Sequence, residues 1–343
     1  MEQLTEFLDN FRSMTFSNGR FWILFVVLIA LLLGYQLLKQ FAPAAVAPAQ
    51  RFFNRHPLIW IWIPAALLIY FVYVSLGWNL WVSVSDWENG ALEASYGFGG
   101  FGNYVKMFTS SEFWPALRNT LLLFCLIPLC LALGLGLALL MDQGLRGTAL
   151  FRTLILLPFA LSFVVTGTVW AYMYRPTGGV LNSFLSLLGV DVAGAMKNGH
   201  LMWASSNSTI MLSIIIAMVW QFSGYVAVIF LAAIKNVPTN IINAAKLDGA
   251  YMPRIYLKLI IPQLKGAMGS CITILAMYAL RSFDFIVSLV GYTTSSAWTL
   301  PVWMYNEAFQ NNNFAYSAAI SCFLLALVLV LILPLTYWTN RRN

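Results

Sequence analysis

The chain has 343 residues, 60% of them hydrophobic and only 9% charged, with a mean hydropathy of +0.77. These proportions exclude a soluble domain built around a single core and place the chain among integral membrane proteins. The net charge of +7 comes from Lys and Arg scattered singly between apolar runs, which argues against a concentrated nucleic-acid patch and fits membrane topology instead.

A spanning helix needs about 20 mainly apolar residues, because backbone groups in hydrocarbon must be satisfied within their own helix. Seven segments meet this condition, at about residues 21–39, 57–83, 115–140, 150–173, 209–234, 266–290 and 314–338. The expected fold is an all-α integral membrane protein with about seven transmembrane helices. The first span follows Glu2, Glu6 and Asp9 as well as Arg12 and Arg20, so the positive leader of a cleaved signal is absent, although APAAVAPAQ after it has small residues. It is read as an uncleaved anchor. With its linker it forms residues 1–56, ahead of a six-helix domain over residues 57–343.

Lys39, Arg51, Arg55, Arg146, Arg152, the bases of residues 235–265, Arg341 and Arg342 fall on one side, with only Asp142 and Asp248 beside them. The opposite side holds most acids, among them Asp86, Glu88, Glu93, Glu112, Asp191 and Glu307. Retention of Lys and Arg in the cytoplasm puts the N-terminus outside and the C-terminus inside.

Cys125, Cys130, Cys271 and Cys322 lie in apolar stretches without CxxC spacing and read as packing residues. His56 and His200 are the only histidines, both in loops, and no HExxH, GxSxG or carboxylate cluster accompanies them. No catalytic or metal site is expected. A GxxxxGK[ST] phosphate loop is also missing, so any ATP hydrolysis must come from another chain.

In the fifth span Trp220, Gln221, Ser223, Gly224 and Tyr225 form a polar and small stretch, with Gln221 and Tyr225 four residues apart on one side. The loop over residues 235–265 follows. Pro238 and Thr239 start a helix whose apolar face is expected to include Ile241, Ala244, Ala245 and Leu247. Asp248-Gly249 ends it, since Gly takes the left-handed conformation and Asp can cap the next helix, which leads through Tyr256 to Pro262. Such an elbow suits docking on a cytoplasmic partner; an interfacial loop with its bases at lipid headgroups is the alternative. In the sixth span Arg281 and Asp284, three residues apart, are expected on one helix face. They read either as a self-compensating ion pair or, with Tyr278 and Ser282, as the lining of a polar cavity. Aromatic faces and hydroxyls there would suit a sugar.

The run NAAKLDGA with Tyr256, Leu259 and Pro262 resembles the EAA loop of ABC importer permeases. Asn243, Ala244, Ala245, Asp248, Gly249, Ala250, Tyr256 and Pro262 occupy the positions of that loop, with Asn243 standing where the family usually has Glu. The likeness covers about residues 57–338 and includes FGNYVKMF, EFWPALRNTLLLF and FRTLILLPFALSFVV; it is nearest the maltose-transporter-like sugar permeases. GYTTSSAWTL departs from the Gly-Gly-Pro usual in relatives. The resemblance implies a type I ABC importer permease fold, and transport of a sugar, oligosaccharide or glycoside. It also implies a second homologous permease, two cytoplasmic ATPase subunits that bind ATP and Mg, an external substrate-binding protein, and location in the bacterial inner membrane. Sugar contacts of relatives map onto Gln221, Phe222, Tyr225, Tyr278 and Ser282. An ion-gradient-driven secondary transporter is the alternative; it would show internal repeats and several intramembrane carboxylates, whereas only Asp284 lies clearly within a span.

The topology is directly testable. A tag near residue 5 is expected to be labelled from outside intact cells, and one after Asn343 only after the cytoplasm is opened. Labelling of both from the cytoplasm would remove the first span.

Overall fold

The computed structural model describes residues 59–87, 96–144, 146–192, 194, 202–204 and 206–340. The span expected at residues 21–39, and with it the N-terminal anchor, lies outside them. The chain divides into two compact units, Met1–Leu76 and Gly77–Asn343, each taken by itself. The described part of the first unit belongs to helix α1 (Ile59–Ser83), whose last turns enter the second unit.

The second unit is helical throughout its described regular elements. Short α2 (Gly102–Thr109) precedes α3 (Phe113–Leu122), which runs through a 3-10 turn at Leu123–Cys125 into α4 (Leu126–Asp142). Next come α5 (Thr148–Ala160), α6 (Phe163–Met173), α7 (Val180–Leu187) and α8 (Ile210–Lys235). The loop after α8 carries α9 (Thr239–Leu247), α10 (Met252–Ile255), a π-helical run at Tyr256–Ile260 and α11 (Ile261–Gln263). Helices α12 (Lys265–Leu280), α13 (Phe283–Val290), α14 (Leu300–Tyr305) and α15 (Phe314–Asn340) complete the chain.

Among the described residues four helical stretches are long and apolar enough to cross a bilayer alone: Pro64–Ser83, Phe113–Asp142, Ile210–Lys235 and Phe314–Tyr337. Two bent pairs qualify together, Thr148–Ala160 with Phe163–Met173 at 97° and Met252–Gln263 with Lys265–Leu280 at 63°. Neither the span expected at residues 150–173 nor that expected at 266–290 is a single continuous helix; the 63° bend itself falls at Leu264, ahead of the latter. In the first, Leu161 and Ser162 are extended, with ψ of 147° and 151°. In the second, the helix stops at Arg281 and restarts at Phe283. Hydropathy averages over such breaks because the residues that make them sit in apolar surroundings.

Helix α8 is the centre of the unit: 67% of its most apolar stretch is buried, against 28% for Phe113–Asp142 and 22% for Phe314–Tyr337. Its inward side chains, including Ile214, Met218, Phe222, Val226 and Phe230, join Leu126, Cys130 and Ala138 of α4 and Leu275 and Ala279 of α12 in one apolar core. A separate cluster of Met107, Phe113, Leu300, Trp303, Tyr316 and Ile320 binds α2, α3, α14 and α15. Asn119 Nδ2 donates to the carbonyls of Ser296 and Trp298, which secures the segment after α13 against α3.

The contact between α8 and α5 is made backbone to backbone. A Cβ on Gly224 would run into the Ile155 carbonyl oxygen, so only glycine permits this approach. Gly136, on α4, has open space at the same position. Gly224→Ala is expected to destabilise the purified subunit by about 1–3 kcal/mol through overpacking. Gly136→Ala should leave the thermal midpoint no lower. Melting both variants in detergent checks the contrast.

Candidate functional site

Two groups of residues stand out, one on the loop after α8 and one at the helix breaks. In the loop, α9 ends with a complete glycine-closed cap. Gly249 has φ of +76°, its N–H donates to the Lys246 carbonyl at 3.0 Å, and the Ala250 N–H reaches back to the Ala245 carbonyl at 3.0 Å. This pairing satisfies terminal carbonyls and needs a left-handed residue at Gly249. Asp248 is the final capping residue of α9 and does not cap the next helix, which begins after extended Tyr251 with Pro253 in its first turn.

The apolar face of α9 differs from the expected one. Ile242 and Ala245 turn toward the core, whereas Ile241 and Ala244 are exposed and Leu247 is 90% exposed. No residue of α9 is buried. Asn243 and Asp248 are also exposed, Ala250 and Leu259 half-buried, and Pro262 exposed. Before Pro262 the helix widens, with the Ile261 N–H donating to the Tyr256 carbonyl. Pro262 has no N–H to close an α-turn on Lys258, and a π-turn accommodates its ring without ending the helix.

Sequence reasoning missed the residues that tie this elbow down. Asp142, last in α4, accepts a hydrogen bond from Tyr256 Oη at 2.6 Å on Oδ2 and pairs through Oδ1 with Lys235 Nζ at 2.7 Å. This is the sole ion pair among the described residues. The only signal was that Asp142 is an acid on a face otherwise rich in bases.

At the α5–α6 break the chain loses regular helical hydrogen bonds and replaces them locally. The Val165 N–H is taken by Ser162 Oγ at 3.2 Å, and the Leu161 carbonyl accepts from Gln221 Nε2 at 3.2 Å. Gln221 is fully buried, and its Oε1 has no partner among the described residues. Around it lies an aromatic group. Phe222 is 4.8 Å from Tyr278 between centroids, Tyr225 stacks on Phe159 at 4.3 Å, and Phe163 meets both Phe222 and Tyr278. The structure thus brings together Gln221, Phe222, Tyr225 and Tyr278. Phe159 and Phe163 were not singled out from sequence; Pro158 and Ser162 were the local signals of the break that presents them.

Arg281, Ser282 and Asp284 lie at the second break. Arg281 caps the C-terminal end of α12 and Asp284 lies in the first turn of α13, so the two do not share one continuous helix face, and they form no ion pair with each other. Both are exposed. Ser282 is buried, with Oγ donating to the Ala279 carbonyl at 2.9 Å, a use that competes with any ligand.

The described residues thus hold several bilayer-length helices, one bent pair tied at its break by a buried amide, a group of aromatic rings, and a glycine-closed elbow on the loop after α8. The pattern described as "Binding-protein-dependent transport system inner membrane component" matches residues 131–341, and the chain belongs to this family. It is a multi-pass inner-membrane protein. Over 282 residues it is 43% identical to a probable ABC transporter permease of Pyrococcus horikoshii, covering 81% of this chain and 94% of that protein. It is 37% identical over 284 residues to the xylose/arabinose import permease XacH of Haloferax volcanii, covering 82% and 87%. The diacetylchitobiose uptake permease NgcF of Streptomyces coelicolor is 31% identical over 296 residues, covering 83% and 82%. The fold matches a solved bacterial ABC transporter involved in import of the acidic polysaccharide alginate, with a TM-score of 0.71 and 20% identity over 86% of this chain and 99% of that one.

The Gln221 bond supplies the prediction for this site. Gln221→Leu preserves much of the volume and removes the unpartnered Oε1, but leaves the Leu161 carbonyl without its donor, and is expected to cost about 1 kcal/mol of stability, the low end for an unsatisfied buried acceptor. Denaturation of the purified variant against wild type measures it.

Proposed function

We propose that the chain is the membrane-spanning subunit of an ATP-driven importer for a sugar, oligosaccharide or glycoside. The observation that carries this reading is the elbow: a glycine-closed turn whose outward apolar side chains, Leu247 above all, are left exposed by the described residues. An uncovered apolar tip supports docking on another protein. We assign the elbow to the cytoplasm, the N-terminus to the outside and the C-terminus to the inside, as the distribution of bases implies. Two ATPase subunits there bind ATP and Mg and supply the energy. A second, homologous permease completes the path, with residues 57–343 as the transporting domain of this chain and residues 1–56 as an anchor.

The saccharide class is supported by relatives named for xylose/arabinose and diacetylchitobiose. An external binding protein is supported by the structural neighbour solved with an alginate pentasaccharide-bound periplasmic protein. Half-buried Tyr278, beside Phe222, and half-buried Tyr225, stacked on Phe159, are rings of the kind that pack on sugars, and Gln221 adds an amide. Exposed Arg281, unpaired with Asp284, suits an acidic group on the substrate. ATP-driven closure of the ATPases moves the elbow, and the helices joined to it change access to the path.

The test is Gly249→Val in the assembled transporter reconstituted with its partners. A β-branched residue in the left-handed conformation costs roughly 1–2 kcal/mol and misshapes the elbow. Membrane insertion should match wild type, while uptake and its stimulation of ATP hydrolysis are lost. Wild-type uptake in this variant would overturn the elbow as the coupling element.

A further inference from the structure

The two arms of the elbow are held differently. The return arm buries Ile255 and Ile260 in the main core, whereas α9 has no fully buried residue and rests only half-buried Ile242 and Ala245 on it. Between the arms and the ends of α4 and α8 lies a cavity of about 710 Å³, bordered by Asp142, Lys235, Ile242, Met252 and Tyr256. Apolar burial on one arm is non-directional and does not by itself fix how that arm is set against the helix ends. Hydrogen bonds do, because they weaken steeply with misalignment.

One carboxylate supplies that directional tie. Asp142 Oδ2 accepts from Tyr256 Oη and Asp142 Oδ1 pairs with Lys235 Nζ, so each oxygen holds a different element. The Asp142 side chain is 14% exposed and Lys235 62%, which leaves the tyrosine bond as the better shielded of the two. Tyr256 opens the π-turn, the one place on the return arm where the helix is widened. Helix α8 carries Gln221 and Tyr225 further along, and α4 packs against it throughout the core.

We infer that Asp142 is a positioning residue that couples movement of the elbow to α4 and α8, and through α8 to the aromatic group at the helix break. This inference rests on the elbow being the point at which the ATPases act. It assigns the Asp142–Tyr256–Lys235 cluster a part in converting hydrolysis into transport, beyond holding the subunit together.

The test uses the complete transporter in proteoliposomes, with substrate imported per ATP hydrolysed as its readout. Asp142→Asn retains the shape of the side chain but offers one acceptor oxygen in place of two, and Tyr256→Phe removes only the hydroxyl. Asp142→Asn is expected to lower the import-to-hydrolysis ratio about five-fold or more, the scale of a typical coupling between sites. Tyr256→Phe should lower it in the same direction, and the double variant should be no worse than Asp142→Asn alone, because both act through one bond. A merely structural role would reduce the amount of assembled transporter and leave the ratio untouched. An unchanged ratio in Tyr256→Phe, whether or not Asp142→Asn assembles, overturns the inference. Gly249→Val in the same assay separates the two readings. If it imports normally, the elbow is not the coupling element and both fail; if it is inactive while Tyr256→Phe stays fully coupled, only the role of Asp142 fails.

Discussion

In a hydrocarbon environment every backbone N–H and C=O needs a partner from the protein itself, and this requirement governs where the chain can depart from straight helix. At the 97° break after α5, Ser162 Oγ takes the Val165 N–H and buried Gln221 takes the Leu161 carbonyl. At the break after α12, the Phe283 N–H turns back to the Arg281 carbonyl and Ser282 Oγ to that of Ala279. At these two breaks the buried polar side chains Gln221 and Ser282 are used on backbone carbonyls that lie at or beside the irregular backbone. The same irregularity turns aromatic rings toward a common point, so the groups suited to substrate and the repairs to the backbone are interleaved.

Packing around α8 makes that arrangement stiff. Gly224 lets α5 lie directly on the backbone of α8, while the large side chains of the same helix fill the space toward α4 and α12. A helix buried along most of its length and tied by Lys235 at its end is able to carry a displacement from one end to the other without deforming. The loop that carries the elbow and the residues at the helix break are thus joined by one continuous, largely buried helix.

What the sequence made legible follows from how local each signal is. The apolar spans are runs of about 20 residues and emerge from composition alone. Gly249 is equally readable, because a glycine after a short helical run meets a steric demand that its neighbours cannot meet. The interruptions were hidden: Leu161 and Ser162 sit in an apolar run that any hydropathy average treats as continuous. Arg281 and Asp284 looked like one face only while the helix between them was taken to be unbroken. The bond from Tyr256 to Asp142 joins residues 114 positions apart, and nothing in a single sequence relates them. The inward turn of Ile242 in place of Ile241 was likewise set by how the return arm packs, a tertiary effect beyond the reach of periodicity.

The bare tip of the elbow also bears on how such a subunit is made. Among the described residues Leu247 is left almost bare and Ile241 in large part exposed. In water, a hydrophobic tip of this kind invites self-association and recognition by chaperones and proteases. Burial of that tip against another surface would remove both hazards at once, so exposure of the elbow is a liability that only a covered state relieves.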